Sequence, residues 1–356
     1  MLVLLTGHNG YIGSLMHAFL AKSGHEVVGL DIGYFAETDF IKGRGSINFK
    51  IRDVRDVESA DEFKGFDAVI HLAALSNDPI GNLDPDWTQK INIDATLKLA
   101  QLAKKAGVKR FLFSSSCIMY GSTQTDRVDE TSPLDPKTEY ARSKVVAEAG
   151  LRDLAGDGFS PIYIRNGTVY GLSPRMRFDT VLNNFVGQAK ATGKIIIYSN
   201  GQPWRPVVHV EDISRTFLQF LEAPREKVHN EAFNNGSDEL NWRVIDLAKA
   251  VQKAVTGSEI ELRAEAGADQ RTYRASFEKF KRTFPDFRFK WNPETGAAQL
   301  AEAFESVGLD KEKFESDDFT RLKWLQGLLN SGRLDKELRW TKQSGWPSQT
   351  QGKVKL

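Results

Sequence analysis

The sequence predicts an α/β fold with a doubly wound parallel sheet and a smaller, mixed C-terminal lobe. Over the first two-thirds of the chain, short and nearly continuous apolar runs alternate with amphipathic stretches of helical period. This pattern is typical of parallel strands that are covered by helices on both faces. A glycine-rich turn joins the first apolar run directly to the first helical stretch. Right-handed crossovers between such strands would place a ligand crevice at their carboxyl ends.

The predicted strands and helices follow from these runs in chain order. The strands are 2–5, 27–30, 47–51, 68–72, 111–114 and 162–165. The helices between them are 12–22, 57–63, 85–106 and 140–154. After Gly171 the strands become shorter and the loops longer, which predicts the smaller lobe. Within that part, 207–210 and 232–234 are candidates to return to the main sheet.

The composition excludes several function classes. The 356 residues carry 48 basic and 47 acidic side chains, a net charge of +1, which gives no electrostatic basis for a nucleic-acid or membrane partner. No apolar run approaches the ~20 residues of a membrane-spanning helix, and no secretory signal is recognised at residue 1. The single cysteine, Cys117, suits the reducing cytoplasm, and no Cys/His cluster suggests a metal site.

The segment Thr6-Gly-His-Asn-Gly-Tyr-Ile-Gly13 lies between the first predicted strand and the first predicted helix. In this context Gly7 allows a tight turn, Gly10 lets the backbone approach a diphosphate, and Gly13 lets helix and strand pack closely. The helix N-terminus then offers free N–H groups to the phosphates. The segment therefore predicts a dinucleotide-binding turn.

Two aspartates follow later strands of the predicted sheet. Asp31 closes the second strand, where a carboxylate can accept hydrogen bonds from the adenosine ribose and would repel a 2′-phosphate, so it favours NAD over NADP. A surface turn is the alternative for Asp31. Asp53 follows the third strand and could bind the adenine amino group, or it could instead cap a helix N-terminus.

Tyr140 and Lys144 lie four residues apart on a predicted helix, so both side chains share one face. A nearby ammonium favours the phenolate and lowers the pKa of the tyrosine, which predicts a general base. This spacing also occurs by chance on many helices.

The ordered set of motifs resembles the extended short-chain dehydrogenase/reductase family, in its group of NAD-dependent nucleotide-sugar epimerases and dehydratases. The resemblance covers residues 1–303. Its motifs, in the family's order, are the glycine turn, Asp31, Asp53, His71-Leu-Ala-Ala74, Asn92, Ser114-Ser-Ser116 before Tyr120-Gly121, Tyr140-x-x-x-Lys144, Arg165, Val169-Tyr-Gly171 and Trp204-Arg-Pro-Val-Val-His-Val-Glu-Asp212.

The resemblance implies a Rossmann-type NAD domain and a role for each matching residue. Tyr140 would accept the proton of a sugar hydroxyl, Lys144 would bind the nicotinamide ribose and lower the pKa of Tyr140, and Ser116 would hold the reacting hydroxyl. The implied NAD-binding residues are Gly7, Gly10, Tyr11, Ile12, Gly13, Asp31, Asp53, Val54, Leu72, Ala73, Ala74, Asn92, Ser114, Tyr140 and Lys144. Asn92 would also support the site geometry.

The resemblance also implies a nucleotide-diphosphate sugar as substrate. Ser116 would contact its reacting hydroxyl and Arg205 would bind its diphosphate. Arg271 would bind the same diphosphate or its ribose, with a surface salt bridge as the alternative. Thr168, where the family usually has asparagine, and Asn183 are further candidates for substrate contact. Arg175 and Arg177 face either substrate phosphates or solvent. A homodimer through the helices 85–106 and 140–154 is implied as well.

Two departures from the family pattern indicate the reaction. In the 4,6-dehydratases an Asp and a Glu follow the catalytic Ser/Thr, whereas this chain has Cys117 and Ile118. Isoleucine cannot move a proton, so we expect a 4-epimerase. The alternatives are a 4-ketoreductase or dehydrogenase with exchanging cofactor and, less favoured, a non-catalytic NAD-binding scaffold. Cys117 is interpreted as a buried packing residue, although some relatives use a cysteine of this turn in proton transfer.

The predicted domains are an NAD-binding domain (1–171), to which segments near 204–235 return, a substrate lobe (172–303) and a peripheral helical extension (304–356). Within the extension, 306–342 carries Leu, Phe and Trp at helical spacing. This spacing favours a peripheral helical hairpin, with dimerisation or a substrate lid as alternatives.

Overall fold

Seven parallel strands form the main sheet of the computed structural model, which describes residues 1–41, 48–122, 127–263 and 271–342. Within the described residues, the strands of all sheets are, in chain order, β1 (Leu2–Thr6), β2 (Glu26–Asp31), β3 (Phe49–Ile51), β4 (Ala68–His71), β5 (Arg110–Ser116), β6 (Ser160–Asn166), β7 (Thr168–Tyr170), β8 (Lys194–Ile197), β9 (Trp204–His209), β10 (Glu231–Asn235), β11 (Asn241–Arg243) and β12 (Glu259–Leu262). The main sheet has the order β10-β6-β5-β4-β1-β2-β3. The strand order reverses between β1 and β4, which places the crevice at their carboxyl ends.

The predicted doubly wound α/β fold is confirmed. All six predicted strands lie in the main sheet, although Ile47 of the run 47–51 is outside the described residues. The segment 232–234 also returns, as part of β10, which pairs with β6.

The prediction that 207–210 returns to the main sheet is wrong. This segment lies in β9 and at the start of the next helix, and β9 pairs with β7 and β11 in a separate mixed sheet. The chain leaves the main sheet between β6 and β7 at Gly167, where a Cβ atom would lie 2.9 Å from the Pro206 carbonyl oxygen. β7 therefore diverges from the main sheet together with β9.

Thirteen α-helices are assigned within the described residues. They are α1 (Gly13–Lys22), α2 (Asp78–Gly81), α3 (Pro85–Thr88), α4 (Ala95–Lys105), α5 (Glu139–Asp153), α6 (Val181–Thr192), α7 (Val210–Glu222), α8 (Arg225–Val228), α9 (Val244–Ala254), α10 (Glu278–Thr283), α11 (Pro293–Ser306), α12 (Lys311–Glu315) and α13 (Arg321–Asn330). Short 3₁₀ turns lie at Val54–Asp56, Ala60–Phe63, Cys117–Tyr120, Asp238–Leu240 and Asp317–Phe319.

Two predicted helices differ in detail. The stretch 57–63 does not form an α-helix, because Asp53 and Ser59, both extended, each cap a separate 3₁₀ turn. The stretch 85–106 is helical, but a π-helical turn, Gln89–Asp94, separates α3 from α4. Such turns are frequent at functional sites, and this one contains Asn92.

Apolar side chains cover both faces of the main sheet. On one face Val69 and Phe111 pack with Leu99 of α4 and Leu151 of α5. On the other face the strand residues pack against α1 and α7, with Phe217 among the buried rings. A third cluster joins α6, α9 and α11 beneath the smaller sheet. Burial on both faces explains why these strands are continuously apolar.

The C-terminal extension is not peripheral, which corrects the sequence prediction. We use this name for residues 311–342; residues 343–356 of the predicted extension lie outside the described part. Leu325, Leu328, Leu334 and Leu338 belong to the same core cluster as the main sheet. Helical spacing predicts that such residues are buried somewhere, but it does not identify the surface that they cover.

Candidate active site

A cavity of about 500 Å³ lies at the carboxyl edge of the main sheet, beside the reversal of strand order. Most of the predicted site residues line it. They are Gly7, Gly10, Tyr11, Ile12, Gly13, Asp31, Asp53, Val54, Leu72, Ala73, Ala74, Ser114, Ser116, Tyr140, Lys144, Thr168, Arg205 and Arg271. Asn92 and Asn183 are not among the lining residues.

The glycine turn has the geometry of a phosphate-binding turn. Gly7 has φ +71°, a left-handed conformation that favours glycine. A Cβ atom on Gly13 would lie 2.2 Å from the Gly7 carbonyl oxygen, so α1 can approach β1 this closely only without a side chain. Gly10, Ile12 and Gly13 line the cavity, so the start of α1 lies at its wall.

Asp31 stands at the end of β2 and lines the cavity. Its carboxylate accepts hydrogen bonds from the backbone N–H groups of Asn9 (3.0 Å) and Gly33 (2.7 Å). These bonds orient the carboxylate beside the glycine turn, where the ribose of a dinucleotide would lie.

Asp53 both caps a 3₁₀ turn and lines the cavity. Its carboxylate accepts from the Arg55 backbone N–H at 2.8 Å and forms an ion pair with the Arg55 guanidinium at 2.5 Å. Arg339 of the C-terminal extension lies 3.2 Å from the same carboxylate. The N-cap alternative is therefore present in the structure, and an adenine contact stays a prediction.

His71 connects the first and fourth strands behind the cavity. Thr6 Oγ1 lies 2.7 Å from its Nδ1, and Thr96 Oγ1 lies 2.8 Å from its Nε2. Burial, followed by the charge of Lys144, lowers the pKa of His71 to about 3, so the imidazole is neutral and serves as a structural bridge. This bridge holds the loop of Leu72 to Ala74 against the glycine turn.

Helix α5 brings Tyr140 and Lys144 into the cavity. The helix begins after Thr138, whose Oγ1 accepts from the Ala141 backbone N–H at 3.2 Å. Lys144 Nζ donates to the Ser114 carbonyl oxygen at 2.8 Å and lies 5.6 Å from the centroid of the Tyr140 ring. The two side chains share a face, as the spacing predicts.

The expected lowering of the Tyr140 pKa by Lys144 is not observed. Burial raises the pKa of Tyr140 to about 12, and Asp78 adds to this, while Arg177 and a hydrogen bond with Ser116 oppose it. Burial also lowers the pKa of Lys144 to about 7. Burial is the largest influence on the pKa of both groups, and sequence spacing carries no information about burial.

In the turn after Ser116, one side chain faces the cavity and the other faces the core. Ile118 lines the cavity, whereas Cys117 is fully buried and donates to the Arg165 carbonyl oxygen at 3.1 Å. Burial raises the pKa of the Cys117 thiol. These observations support the interpretation of Cys117 as a packing residue.

Arg205, Arg271 and Thr168 lie on the substrate side of the cavity. Arg271 Nη1 donates to the Asp78 carboxylate at 2.8 Å, and the Arg205 guanidinium donates to the Arg271 carbonyl oxygen. Asp78 also accepts from Thr138 Oγ1 at 2.6 Å, which connects this cluster to the start of α5. The salt-bridge alternative for Arg271 is thus present inside the cavity wall.

Asn92 and Asn183 lie outside the cavity wall, and their predicted contacts with NAD and with the substrate stay predictions. Asn92 accepts from the Leu75 backbone N–H at 2.9 Å and donates to Ser143 Oγ at 3.1 Å. Asn183 donates to Tyr11 Oη at 3.0 Å and accepts from the Gly171 backbone N–H. Both amides are buried and bound to the protein.

Sequence reasoning missed part of the cavity wall. The sequence leaves Arg177 open between substrate phosphates and solvent; in the structure it lines the cavity in an ion pair with Asp179 at 2.5 Å. Phe35, Arg321 and Leu325 line it as well. Arg321 and Leu325 belong to the C-terminal extension and carry no motif that could have identified them.

Among the residues that the structure describes, no helix has the length and apolar composition to span a membrane. Within the same ranges, no three His, Cys, Asp or Glu side chains come together as potential metal ligands.

A family model and several known proteins match most of this chain. A family model described as "NAD dependent epimerase/dehydratase family" matches residues 3–236. The chain is 30% identical over 290 residues to UDP-glucose 4-epimerase of Bacillus subtilis (strain 168). This alignment covers 74% of this chain and 84% of the relative. It is 27% identical over 272 residues to dTDP-D-glucose 4,6-dehydratase of Homo sapiens, in an alignment that covers 73% of this chain and 76% of the relative.

A solved structure of UDP-glucose 4-epimerase with UDP-glucose, from Thermotoga maritima, is also similar. It has a TM-score of 0.73 at 25% identity, with 86% of this chain and 99% of that chain covered.

Proposed function

The chain belongs to the NAD-dependent epimerase/dehydratase family, and from that premise we propose that it is a 4-epimerase of nucleotide-diphosphate sugars. Bound NAD supplies a hydride acceptor that is restored within the cycle. The glycine turn fits this cofactor, because a side chain at Gly13 would overlap the Gly7 carbonyl. The Asp31 carboxylate at the cavity wall favours NAD over NADP through repulsion of a 2′-phosphate.

Tyr140 is the proposed acid–base residue. Its phenolate oxygen would take the proton of the sugar C4 hydroxyl while the C4 hydride passes to the cofactor, and it would return the proton when the hydride goes back to the opposite face. The Ser116 hydroxyl and the Arg177 guanidinium favour the phenolate. Lys144, held by the Ser114 carbonyl, would position the nicotinamide ribose.

The side chains that follow Ser116 are the observation that favours epimerisation. Ile118 presents an apolar group to the cavity and the Cys117 thiol points into the core. This turn therefore offers no carboxylate to eliminate water from a sugar. Ser116, Tyr140 and Lys144 suffice for reversible oxidation at C4.

Arg205 and Arg271 are the proposed ligands of the substrate diphosphate. Both line the cavity on the side of the smaller lobe. A guanidinium matches two phosphate oxygens at once, which suits a diphosphate. The relatives named above are similar enough to make UDP-glucose and dTDP-glucose the first substrates to test.

The decisive experiment incubates the NAD-loaded protein with UDP-, dTDP-, GDP- and CDP-sugars and identifies products by proton NMR. We expect a C4 epimer with no net change in the near-ultraviolet absorbance of NADH. Stoichiometric formation or consumption of NADH would instead identify a dehydrogenase or a ketoreductase.

Tyr140→Phe tests the mechanism in the same assay. We expect turnover to fall about 10²- to 10⁴-fold, because the proton acceptor is removed, while sugar-nucleotide binding persists. Tyr198→Phe is the matched control, since Tyr198 is 46% exposed and lies outside the cavity wall. Unchanged turnover in Tyr140→Phe would contradict the mechanism. If no sugar nucleotide raises the melting temperature, a binding module becomes the better interpretation.

The homodimer stays a prediction. Val146 on α5 is 46% exposed, which supports an apolar contact through this helix. Light scattering in solution would give the mass.

A further inference from the structure

We propose that Arg321, on the C-terminal extension, is an additional ligand for the diphosphate of bound NAD. The residues matched by the family model end at 236, so the extension lies outside them. The inference concerns how the cofactor is held, and it stands whether the reaction is an epimerisation or a net oxidation.

The guanidinium of Arg321 is buried and only partly bonded. The residue is 4% exposed. Its Nη2 donates to the Arg175 carbonyl oxygen at 2.9 Å, and the guanidinium lies 3.9 Å from the centroid of the Phe35 ring. Its Nη1 is buried and has no hydrogen-bond partner among the described residues. Proteins rarely leave a buried charged donor without a hydrogen-bond acceptor. The unsatisfied Nη1 therefore indicates that a ligand binds there.

The cavity wall shows which part of the cofactor Arg321 would meet. Arg321 lines the same cavity as Gly10 and Ile12, and it lies near enough to Asp31 for that carboxylate to act on its charge. In a dinucleotide site of this topology, the diphosphate lies between the glycine turn and the acidic residue that holds the ribose. The N-terminus of α1, a helix of 10 residues, opens onto the same space.

The surrounding charges also call for an anion at this place. The two neighbouring guanidinium groups have carboxylate partners, Arg175 with Asp39 at 2.7 Å and Arg177 with Asp179 at 2.5 Å. Arg321 forms no ion pair within the described ranges. Burial, followed by repulsion from Arg177, lowers its pKa to about 9. Phosphates are the anionic groups of a dinucleotide, and they would relieve this repulsion.

The extension holds Arg321 rigidly in front of the cavity. Trp324 Nε1 donates to the Tyr34 carbonyl oxygen at 2.7 Å, and Tyr34 Oη donates to the Leu338 carbonyl oxygen at 2.5 Å. Leu325 and Leu328 are buried in the core of the main sheet. Little side-chain or segment freedom is therefore lost when a ligand reaches Nη1, which favours tight binding.

Calorimetry on the protein stripped of its cofactor tests the proposal with three probes: NAD, ADP-ribose and adenosine. In Arg321→Gln we expect NAD and ADP-ribose to bind about 10- to 100-fold more weakly, the usual effect of losing a charged hydrogen bond. Adenosine, which lacks phosphate, should bind as in the wild type. Arg333→Gln is the matched control, because Arg333 lies on the same extension and pairs with Glu37 outside the cavity wall.

Phosphorus NMR provides a readout that needs no turnover. The diphosphate resonances of bound NAD should shift between the wild type and Arg321→Gln and should coincide between the wild type and Arg333→Gln. Unchanged NAD affinity in Arg321→Gln, or an equal loss for adenosine, would overturn the proposal. If Arg321→Gln does not fold, Arg321→Lys replaces it: the charge is kept and the planar fork is lost, so NAD should weaken several-fold and adenosine should not. Wild-type NAD affinity in that variant would also overturn it.

Discussion

Lys144 combines a proposed role in the active site with an unfavourable environment for its charge. It is 4% exposed, and burial lowers its pKa from 10.5 to about 7, although Glu148 partly opposes the shift. The unliganded protein therefore carries a lysine that changes charge near neutral pH. A buried ammonium destabilises the folded state whenever it is protonated there.

The pH dependence of stability should reveal this lysine. Between about pH 7 and pH 10.5 the unfolded chain binds the proton and the folded protein does not, so folded stability rises with pH in this window. Relative to Lys144→Met, the wild type should gain up to about 1.4 kcal/mol per pH unit there and should change little below pH 7. Urea unfolding of the cofactor-free proteins measures the difference.

Lys104→Met is the control, because Lys104 is exposed on α4. Its difference from the wild type should be flat across the window. A flat difference for Lys144→Met as well would show that Lys144 keeps an ordinary pKa.

At the level of single residues, the sequence predicts which side chains meet better than how they behave. The spacing of Tyr140 and Lys144 predicts a shared face correctly, but the sign of the Tyr140 pKa shift was wrong. Spacing places charges near one another, whereas desolvation depends on the atoms that surround them. Asn183 illustrates the same limit of sequence reasoning. Its amide donates to Tyr11 Oη and accepts from the Gly171 backbone N–H, which no sequence pattern predicts.

The β1–α1 unit depends on close backbone contact at Gly13. We expect Gly13→Ala to weaken NAD binding by tenfold or more, because its Cβ would lie 2.2 Å from the Gly7 carbonyl oxygen and would force α1 away from the strand. Calorimetric titration with NAD measures the effect. The cost is steric, since the Gly13 backbone is not in the left-handed region.

Gly156→Ala is a matched substitution elsewhere. No atom of the described residues lies within 4 Å of a Cβ built there, and its φ is also not positive. Wild-type NAD affinity is expected. Equal affinity in both variants would mean that α1 can shift without disturbing the phosphate-binding turn.

Among the elements, buried parallel strands are the easiest to predict. β1, β4 and β6 each contain a short buried apolar run, and the length of these runs and their flanking turns distinguish them from helices. β9 was placed in the wrong sheet, because an apolar run does not specify its partner strand. The π-helical turn at Gln89–Asp94 leaves the amphipathic pattern of the surrounding helix intact, so it has no clear signal in the sequence.

Over the whole molecule, the C-terminal extension forms part of the cavity wall. Arg321 and Leu325 line the cavity, while Trp340 Nε1 donates to the Ile32 carbonyl oxygen at 2.8 Å. Its helical spacing was recognisable in the sequence, but the surface that it covers was not. Packing partners more than 280 residues away in sequence leave no local pattern.

Hydrogen exchange should show that cofactor binding and the extension are coupled. At NAD concentrations about 100 times Kd, amides of α13 that exchange through openings of the cavity should slow by up to about a hundredfold. The amides of α9, which lies outside the cavity wall, provide the internal comparison. Equal protection changes in α13 and α9 would show that the extension does not open with the site.

The buried thiol at the end of β5 has a practical consequence. Cys117 is the only cysteine of the chain, it is 0% exposed, and its raised pKa keeps it protonated. Alkylating reagents require an accessible thiolate, so we expect them not to label the folded protein. A cysteine introduced on the outer surface of α13 would then be the sole labelling site, and a dye placed there could follow the extension without any change to the native thiol.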